Sequence, residues 1–183
     1  MKELRGTATA LVPVPLAECL ALVQAVDEYP DWYPEVVRSV EVRERDPDGG
    51  PSTAQTQLHL SFGPLTKDFD LLMEVVHEPP ATVKFVKVGG NAKFDVTWRL
   101  QDGANTRIAL ELDANVDAPR FLPLGGIGDS VAQGFVSAAS RVGARSSAAK
   151  RARSVSVEVA PCPGEPSSVV EVIPRGSQTA SWR

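Results

Sequence analysis

The two histidines of the chain are its first candidates for acid–base chemistry, because imidazole readily accepts and donates protons near neutral pH. His59 lies in a run of alternating polar and apolar residues, on the same face as Gln55 and Gln57, and His77 precedes Glu78 and two prolines. Neither has a neighbouring nucleophile motif, and no catalytic triad can be assembled. We interpret both as surface histidines, and no catalytic residue is assigned.

A glycine-rich segment, residues 125–128 (GGIG), precedes the last helical pattern and could bind a phosphate through its backbone N–H groups. It lacks the Lys and Ser/Thr of a P-loop and the preceding strand of a dinucleotide site. We therefore interpret the segment as a flexible start of the helix, with a hinge or a cavity gate as the functional alternative. Asp129 and Ser130 would serve as capping groups.

The two cysteines, Cys19 and Cys162, lie in segments of different character and match no metal-ligand spacing, so both are expected to be reduced. We expect no metal and no cofactor. The 183 residues carry a net charge of −4, which argues against the basic surface that nucleic-acid binding requires. No apolar run has the length of a signal peptide or a membrane span, so the expected location is the cytoplasm.

Seven segments alternate apolar and polar residues and are separated by short turns, which predicts an antiparallel meander. These strands are expected near residues 5–12, 36–45, 54–62, 69–75, 83–86, 94–100 and 108–112. A short amphipathic helix follows the first strand, and residues 29–34 (YPDWYP) form an aromatic bend or a second short helix. A long final helix follows Pro119, with an apolar stripe formed by Ile127, Val131, Phe135, Ala138, Ala139 and Val142.

Helices that are segregated to one face of an antiparallel sheet define an α+β domain. The sequence predicts one such domain over residues 1–145, in which a curved seven-stranded sheet wraps around the long C-terminal helix. Residues 146–183 lose the periodicity and are rich in Ser, Pro, Gly and Arg, which is typical of a disordered tail.

A basic cluster spans the end of the final helix and the start of the tail, and no acidic residue lies between Ser130 and Val157. Favourable pairing with the negative end of the helix dipole is the simpler interpretation. Transient contact with anionic lipid head groups is the functional alternative. The cluster comprises Arg141, Arg145, Lys150, Arg151 and Arg153.

The order of the elements and two segments resemble the START-like or SRPBCC superfamily, which has the helix-grip (Bet v 1/START-like) fold. The segments are residues 29–34 (YPDWYP), which lead into 40–42 (VEV), and residues 94–98 (FDVTW). The resemblance covers roughly residues 3–145 and indicates, within the superfamily, the polyketide cyclase/dehydrase and Coq10-like lipid-carrier branch. It implies a deep cavity between the concave face of the sheet and the final helix.

The resemblance also implies what this cavity holds. Members bind sterols, polyketides, quinones or other lipids, and they act as carriers, cyclases or hydrolases without a universal catalytic residue. The ligand-binding residues implied for this chain are Trp32, Phe62, Phe69, Met73, Phe85, Phe94, Trp98, Phe121, Leu122 and Phe135. Packing alone is the simpler interpretation of the inward phenylalanines. Trp32, between two prolines, either plugs the end of the core or rims an opening.

Two functions stay open at this point. One is the binding or transport of a hydrophobic molecule such as a lipid, quinone or polyketide; the other is a cyclase or aromatase that acts on a poly-β-keto chain with acid or base help. A third, weaker one is a protein-interaction platform. The inward rows offer few polar groups, which favours the binding protein. The polar groups on the inward rows are Thr56 and whichever of Asp70, Glu74, Thr97 or Arg99 turns inward.

Overall fold

A computed structural model describes residues 1–62, 65–117 and 125–155, without the side chains of Phe62, Leu65 and residues 150–155. The strands within these residues are β1 (Lys2–Val12), β2 (Val37–Arg45), β3 (Pro51–Phe62), β4 (Leu65–Glu78), β5 (Thr82–Lys87), β6 (Phe94–Gln101) and β7 (Thr106–Val116). The helices are α1 (Leu16–Gln24), α2 (Tyr29–Trp32) and α3 (Ile127–Val155), and Val26–Glu28 forms a 3-10 turn. The predicted α+β helix-grip class is confirmed.

All seven strands belong to one antiparallel sheet with the order β1-β7-β6-β5-β4-β3-β2. Strands β2 to β7 therefore form the predicted meander, and β1 closes the sheet beside β7, in register from Lys2 opposite Val116 to Val12 opposite Thr106. Irregular register between β2 and β3, at Val37/Ser39 and at Val42/Glu44, marks bulges that increase the local bend. The sheet can thus curve around a helix.

The alternation along the strands divides the sheet into an apolar face and a charged face. On the outer face, Arg99 pairs with Glu111, and the Lys93 ammonium lies 2.8 Å from the Asp113 carboxylate. The inner face packs against α3, where small side chains allow close contact between helix and sheet. Besides Gly128 and Gly143, the described residues of α3 that are buried are Ala132, Phe135, Val136, Ala138, Ala139 and Ser147.

Backbone contact fixes the start of α3 against β1. A Cβ atom on Gly6 would overlap the Gly128 carbonyl, and a Cβ on Gly128 would overlap the carbonyl of Arg5. The Asp129 carboxylate accepts a hydrogen bond from the Thr7 backbone N–H at 2.9 Å and so adds a polar link between the two elements. The interpretation of Gly128 as part of a flexible helix start is therefore wrong, because close packing requires this glycine.

The other end of α3 extends past residue 145, where the loss of periodicity predicted the domain boundary, and reaches Val155. Ser147 is buried, and its hydroxyl donates to the Glu18 carboxylate of α1 at 3.3 Å. Residues 144–149 (ARSSAA) contain too little apolar contrast for the helical period to be visible. Residues 156–183 of the predicted tail lie outside the described residues.

The contact between Gly6 and Gly128 yields a stability prediction. Replacing Gly128 with Ala should lower the free energy of unfolding by about 1–3 kcal/mol, because the added methyl group has no space next to the backbone of β1. Gly125→Ala is the matched control, since a Cβ there meets no atom within 4 Å. Urea denaturation measures both variants, and a Gly128→Ala protein as stable as the control would contradict the packing argument.

Candidate ligand site

An apolar cavity of about 50 Å³ lies between the inner face of the sheet and α3. Strands β2 to β7 provide most of its wall, and α3 adds Val131 and Phe135. Val26 and Tyr29 close it from the segment between α1 and β2. Among the described residues that line the cavity, the polar side-chain groups are the hydroxyls of Tyr29 and Thr56 and the indole N–H of Trp98.

Half of the implied ligand-binding residues line this cavity. Four of them occupy inward positions of the alternation predicted for β4, β5 and β6, and Phe135 lies on the apolar stripe predicted for α3. Their role in binding stays a prediction. These residues are Met73, Phe85, Phe94, Trp98 and Phe135.

The other implied residues have different positions. Trp32 is buried behind the cavity wall, with its ring 4.4 Å from that of Tyr29 and 6.4 Å from that of Phe135, so it plugs the core. Phe69 is half-buried beside Phe94 and does not line the cavity. The side chain of Phe62 and the residues Phe121 and Leu122 lie outside the described part of the chain.

Sequence reasoning missed Tyr29 as a wall residue. Its hydroxyl donates to the carbonyl oxygen of Val23 at 2.7 Å, which fixes the ring at the end of the cavity. Burial raises the pKa of Tyr29, and the nearby Trp98 indole opposes the rise in part. The aromatic segment 29–34 signalled large rings at this position, but only the tertiary structure shows which ring faces inward.

The polar residues whose direction the alternation did not decide turn outward. Asp70 and Glu74 are exposed, and the Arg99 guanidinium pairs with Glu111 on the outer face. Thr97 lies on that same face, beside Arg99. The cavity wall, as far as the structure describes it, therefore contains no carboxylate, imidazole, ammonium or guanidinium group.

The two histidines lie on neighbouring strands, His59 on β3 and His77 on β4, and have different partners. The Nδ1 atom of His59 lies 2.6 Å from the Asp68 carboxylate, and the side chain is partly exposed. The interpretation of His77 as a surface histidine is wrong, because it is half-buried on β4 with its Nε2 atom buried, and its Nδ1 lies 3.3 Å from the Gln24 amide nitrogen of α1. Neither lines the apolar cavity. Across the described residues, no group of three or more potential metal ligands lies close together.

A wider depression of about 400 Å³, which we call the end groove, lies next to the cavity at the start of α3. Its polar residues include Tyr33, Glu35 and His59. Leu60 and Val131 line both the groove and the cavity, so these two side chains separate them. The end groove is lined by Tyr33, Glu35, Val36, His59, Leu60, Ser61, Ile127, Ser130 and Val131.

A comparison of the sequence with protein families agrees with this architecture of a sheet, a covering helix and a cavity between them. A family model described as polyketide cyclase / dehydrase and lipid transport matches residues 12–139. The chain belongs to this family. Membership of the Coq10-like branch stays a prediction. A search of curated proteins finds no significant match.

Solved structures with the fold of this polyketide cyclase/dehydrase family member include three that illustrate its range. A protein from Thermus thermophilus has a TM-score of 0.60 and 18% identity, over 80% of this chain and 99% of that one. A START superfamily protein from Mycobacterium smegmatis has a TM-score of 0.53 and 16% identity, over 82% and 98%. The di-domain ARO/CYC StfQ of the steffimycin biosynthetic pathway has a TM-score of 0.57 and 11% identity, over 82% and 52%. Such identities establish the fold alone.

The two tyrosines of this family member yield a pH prediction. Burial raises the pKa of both Tyr29 and Tyr33 above the ordinary value of 10.0, and Glu35 adds to the rise at Tyr33 while Arg141 opposes it. Above pH 10 the unfolded chain should lose phenol protons that the folded chain retains, so the free energy of unfolding should fall as pH rises.

Absorbance of the phenolate measures this titration, and Tyr29→Phe and Tyr33→Phe variants assign the two steps. Both folded-state midpoints should lie above that of the urea-unfolded chain. Midpoints equal to that of the unfolded chain would show that the phenols are accessible to water.

Proposed function

We propose that this protein binds a hydrophobic small molecule, such as a lipid, quinone or polyketide, in the cavity between the sheet and α3. The observation that supports the proposal is the chemistry of the wall, where eighteen residues contribute only three polar side-chain groups. Apolar walls with a few convergent polar groups are typical of sites for small organic molecules. Transport of the bound molecule is the corresponding physiological role.

The size of the cavity determines how binding would proceed. Ligand sites usually have volumes of roughly 300–1,000 Å³, whereas this cavity measures about 50 Å³. Binding therefore requires that wall side chains move apart. Met73 suits this requirement because its unbranched thioether chain adapts to several shapes. The end groove offers the space through which a ligand would approach Leu60 and Val131.

The alternative is a cyclase or aromatase, as the fold shared with the ARO/CYC StfQ suggests. Cyclisation of a poly-β-keto chain needs a group that moves protons. The described cavity wall offers only two hydroxyls, and the proton of Tyr29 is held by Val23. Tyr33, Glu35 and His59 could move protons, but they line the end groove. A cyclase would therefore perform its chemistry in the groove, and the cavity itself supports binding.

Filling the cavity tests the binding proposal. Ala54 is buried in the wall, so Ala54→Leu should occupy the free volume and weaken binding of the neutral fluorophore N-phenyl-1-naphthylamine about tenfold. Ala109→Leu, on the outer face of β7, is the matched control and should bind like the wild type. Circular dichroism verifies that both variants are folded.

Fluorescence titration measures the affinities. Native mass spectrometry of gently purified protein, followed by denaturing extraction, would identify a natural ligand. If the fluorophore shows no saturable binding to the wild type, or if Ala54→Leu binds it equally well, the cavity is not the binding site.

We also propose that the protein makes transient contact with anionic membranes through the basic cluster. Arg141 and Arg145 are exposed, and they lie well before the end of α3 at Val155. A helix dipole acts on charges within the last turn, so it does not account for these two residues. The side chains of Lys150, Arg151 and Arg153 lie outside the described residues. No helix that the structure describes is long and apolar enough to cross a membrane.

Co-sedimentation with phosphatidylserine-containing vesicles measures this contact. A double Arg141→Gln/Arg145→Gln variant should bind about thirtyfold more weakly, since each basic residue near an anionic surface contributes about 1 kcal/mol. Arg43→Gln/Arg107→Gln changes the net charge equally on exposed strand positions and should bind like the wild type. Equal losses in both double variants would indicate a net-charge effect without a specific contact surface.

A further inference from the structure

Trp98 carries the one donor-only polar group in the described part of the cavity wall. Its side chain is fully buried in β6 at 0% exposure and lines the cavity. Within the described residues, its indole Nε1–H has no hydrogen-bond partner. A buried donor without a partner costs about 1–3 kcal/mol. Because Trp98 lines the cavity, an acceptor atom on a bound molecule would remove this cost.

The neighbouring hydroxyl does not remove this cost. Burial raises the pKa of Tyr29 and the interaction of its hydroxyl with the Trp98 indole lowers it in part, but this contact falls short of hydrogen-bond geometry and leaves the indole N–H without a full partner. The Tyr29 hydroxyl instead directs its proton to Val23 at 2.7 Å. The same ring therefore cannot offer a second donor to a ligand. At this position the site presents a single N–H group, on an indole whose ring centroid lies 6.5 Å from that of Phe135.

The chemistry of the indole determines what could satisfy it. An indole N–H only donates, so its partner must be an acceptor. No cationic side chain lines the described wall, so a carboxylate or phosphate would remain uncompensated in an apolar environment. A neutral oxygen has a much smaller desolvation cost. Thr56, the remaining polar group of the wall, can both donate and accept and therefore does not restrict the ligand.

We propose that the ligand is an apolar molecule with a neutral carbonyl oxygen, and that this oxygen accepts a hydrogen bond from Trp98 Nε1–H. The inference rests on the proposed binding function and adds the polarity of the ligand and its orientation in the cavity. The carbonyl points toward β6, and the hydrocarbon part lies against the aliphatic side chains of β3 and β4. Trp98 is thus a specificity-determining residue.

Trp32 provides a matched control within the same aromatic cluster. Its Nε1 is also buried, and no described residue is its hydrogen-bond partner, but Trp32 does not line the cavity. Both indoles have their rings close to Phe135, at 6.4 and 6.5 Å between centroids. Trp32→Phe and Trp98→Phe therefore delete the same kind of group at similar depth, and only Trp98→Phe should change how the cavity distinguishes ligands.

The test uses two probes of nearly the same shape, 9-fluorenone with a carbonyl group and fluorene without one. Calorimetric or fluorophore-displacement titration gives the ratio of their affinities for the wild type and for each variant. Trp98→Phe should lower the preference for fluorenone about five- to tenfold, the effect of one hydrogen bond. Trp32→Phe should leave the ratio unchanged. Changes in cavity volume affect both probes and cancel in the ratio.

Nuclear magnetic resonance of ¹⁵N-labelled protein supplies a direct readout, since the chain has three tryptophans and each gives one indole signal. Fluorenone should shift the Trp98 signal downfield by more than fluorene does. If both probes bind but the ratio survives Trp98→Phe, or if Trp32→Phe lowers it equally, the inference is wrong while the binding function stands. If neither probe binds the wild type, the binding function fails and the inference with it.

Discussion

The direct contact between the backbones of β1 and α3 is the constraint on which the rest of the structure depends. With no side chain on either Gly6 or Gly128, the helix starts in contact with the edge of the sheet, and Asp129 holds it there through the Thr7 backbone N–H. The path of α3 across the concave face follows from this fixed point. The side chains that follow this contact along α3 set the distance between helix and sheet, and this distance determines the volume of the cavity.

Those side chains explain why the cavity is small. Phe135 projects from α3 into a cluster of rings, with Tyr33 4.7 Å away on one side and Trp98 6.5 Å away on the other. The Tyr33 hydroxyl occupies the space above Gly134, which has no Cβ to displace it. One end of the interior is therefore packed like an ordinary core, and the free volume of the cavity lies beside this cluster, between strands β2 to β7 and the helix.

The sequence alone predicts the strands and the helical stripe well because both depend on local periodicity. The alternation of Phe94, Val96 and Trp98 identifies the inward face of β6 without any tertiary information. Gly128 was misinterpreted, since close approach between segments distant in sequence leaves no local signature. The same limit applies to Tyr29 and Trp32, where a short helix decides which ring lines the cavity. A buried indole N–H without a hydrogen-bond partner can be recognised only when the positions of all its neighbours are known.

The wall shared by the cavity and the end groove has a consequence for the timing of ligand exchange. In the proposed binding function, a molecule that leaves through the groove would have to push aside Leu60 of β3 and Val131 of α3, and both contacts are apolar. The barrier to exit is then set by the rearrangement of packed side chains, so residence time and equilibrium affinity are controlled by different residues. In the proposed binding function, even a weakly bound molecule would therefore leave the cavity slowly.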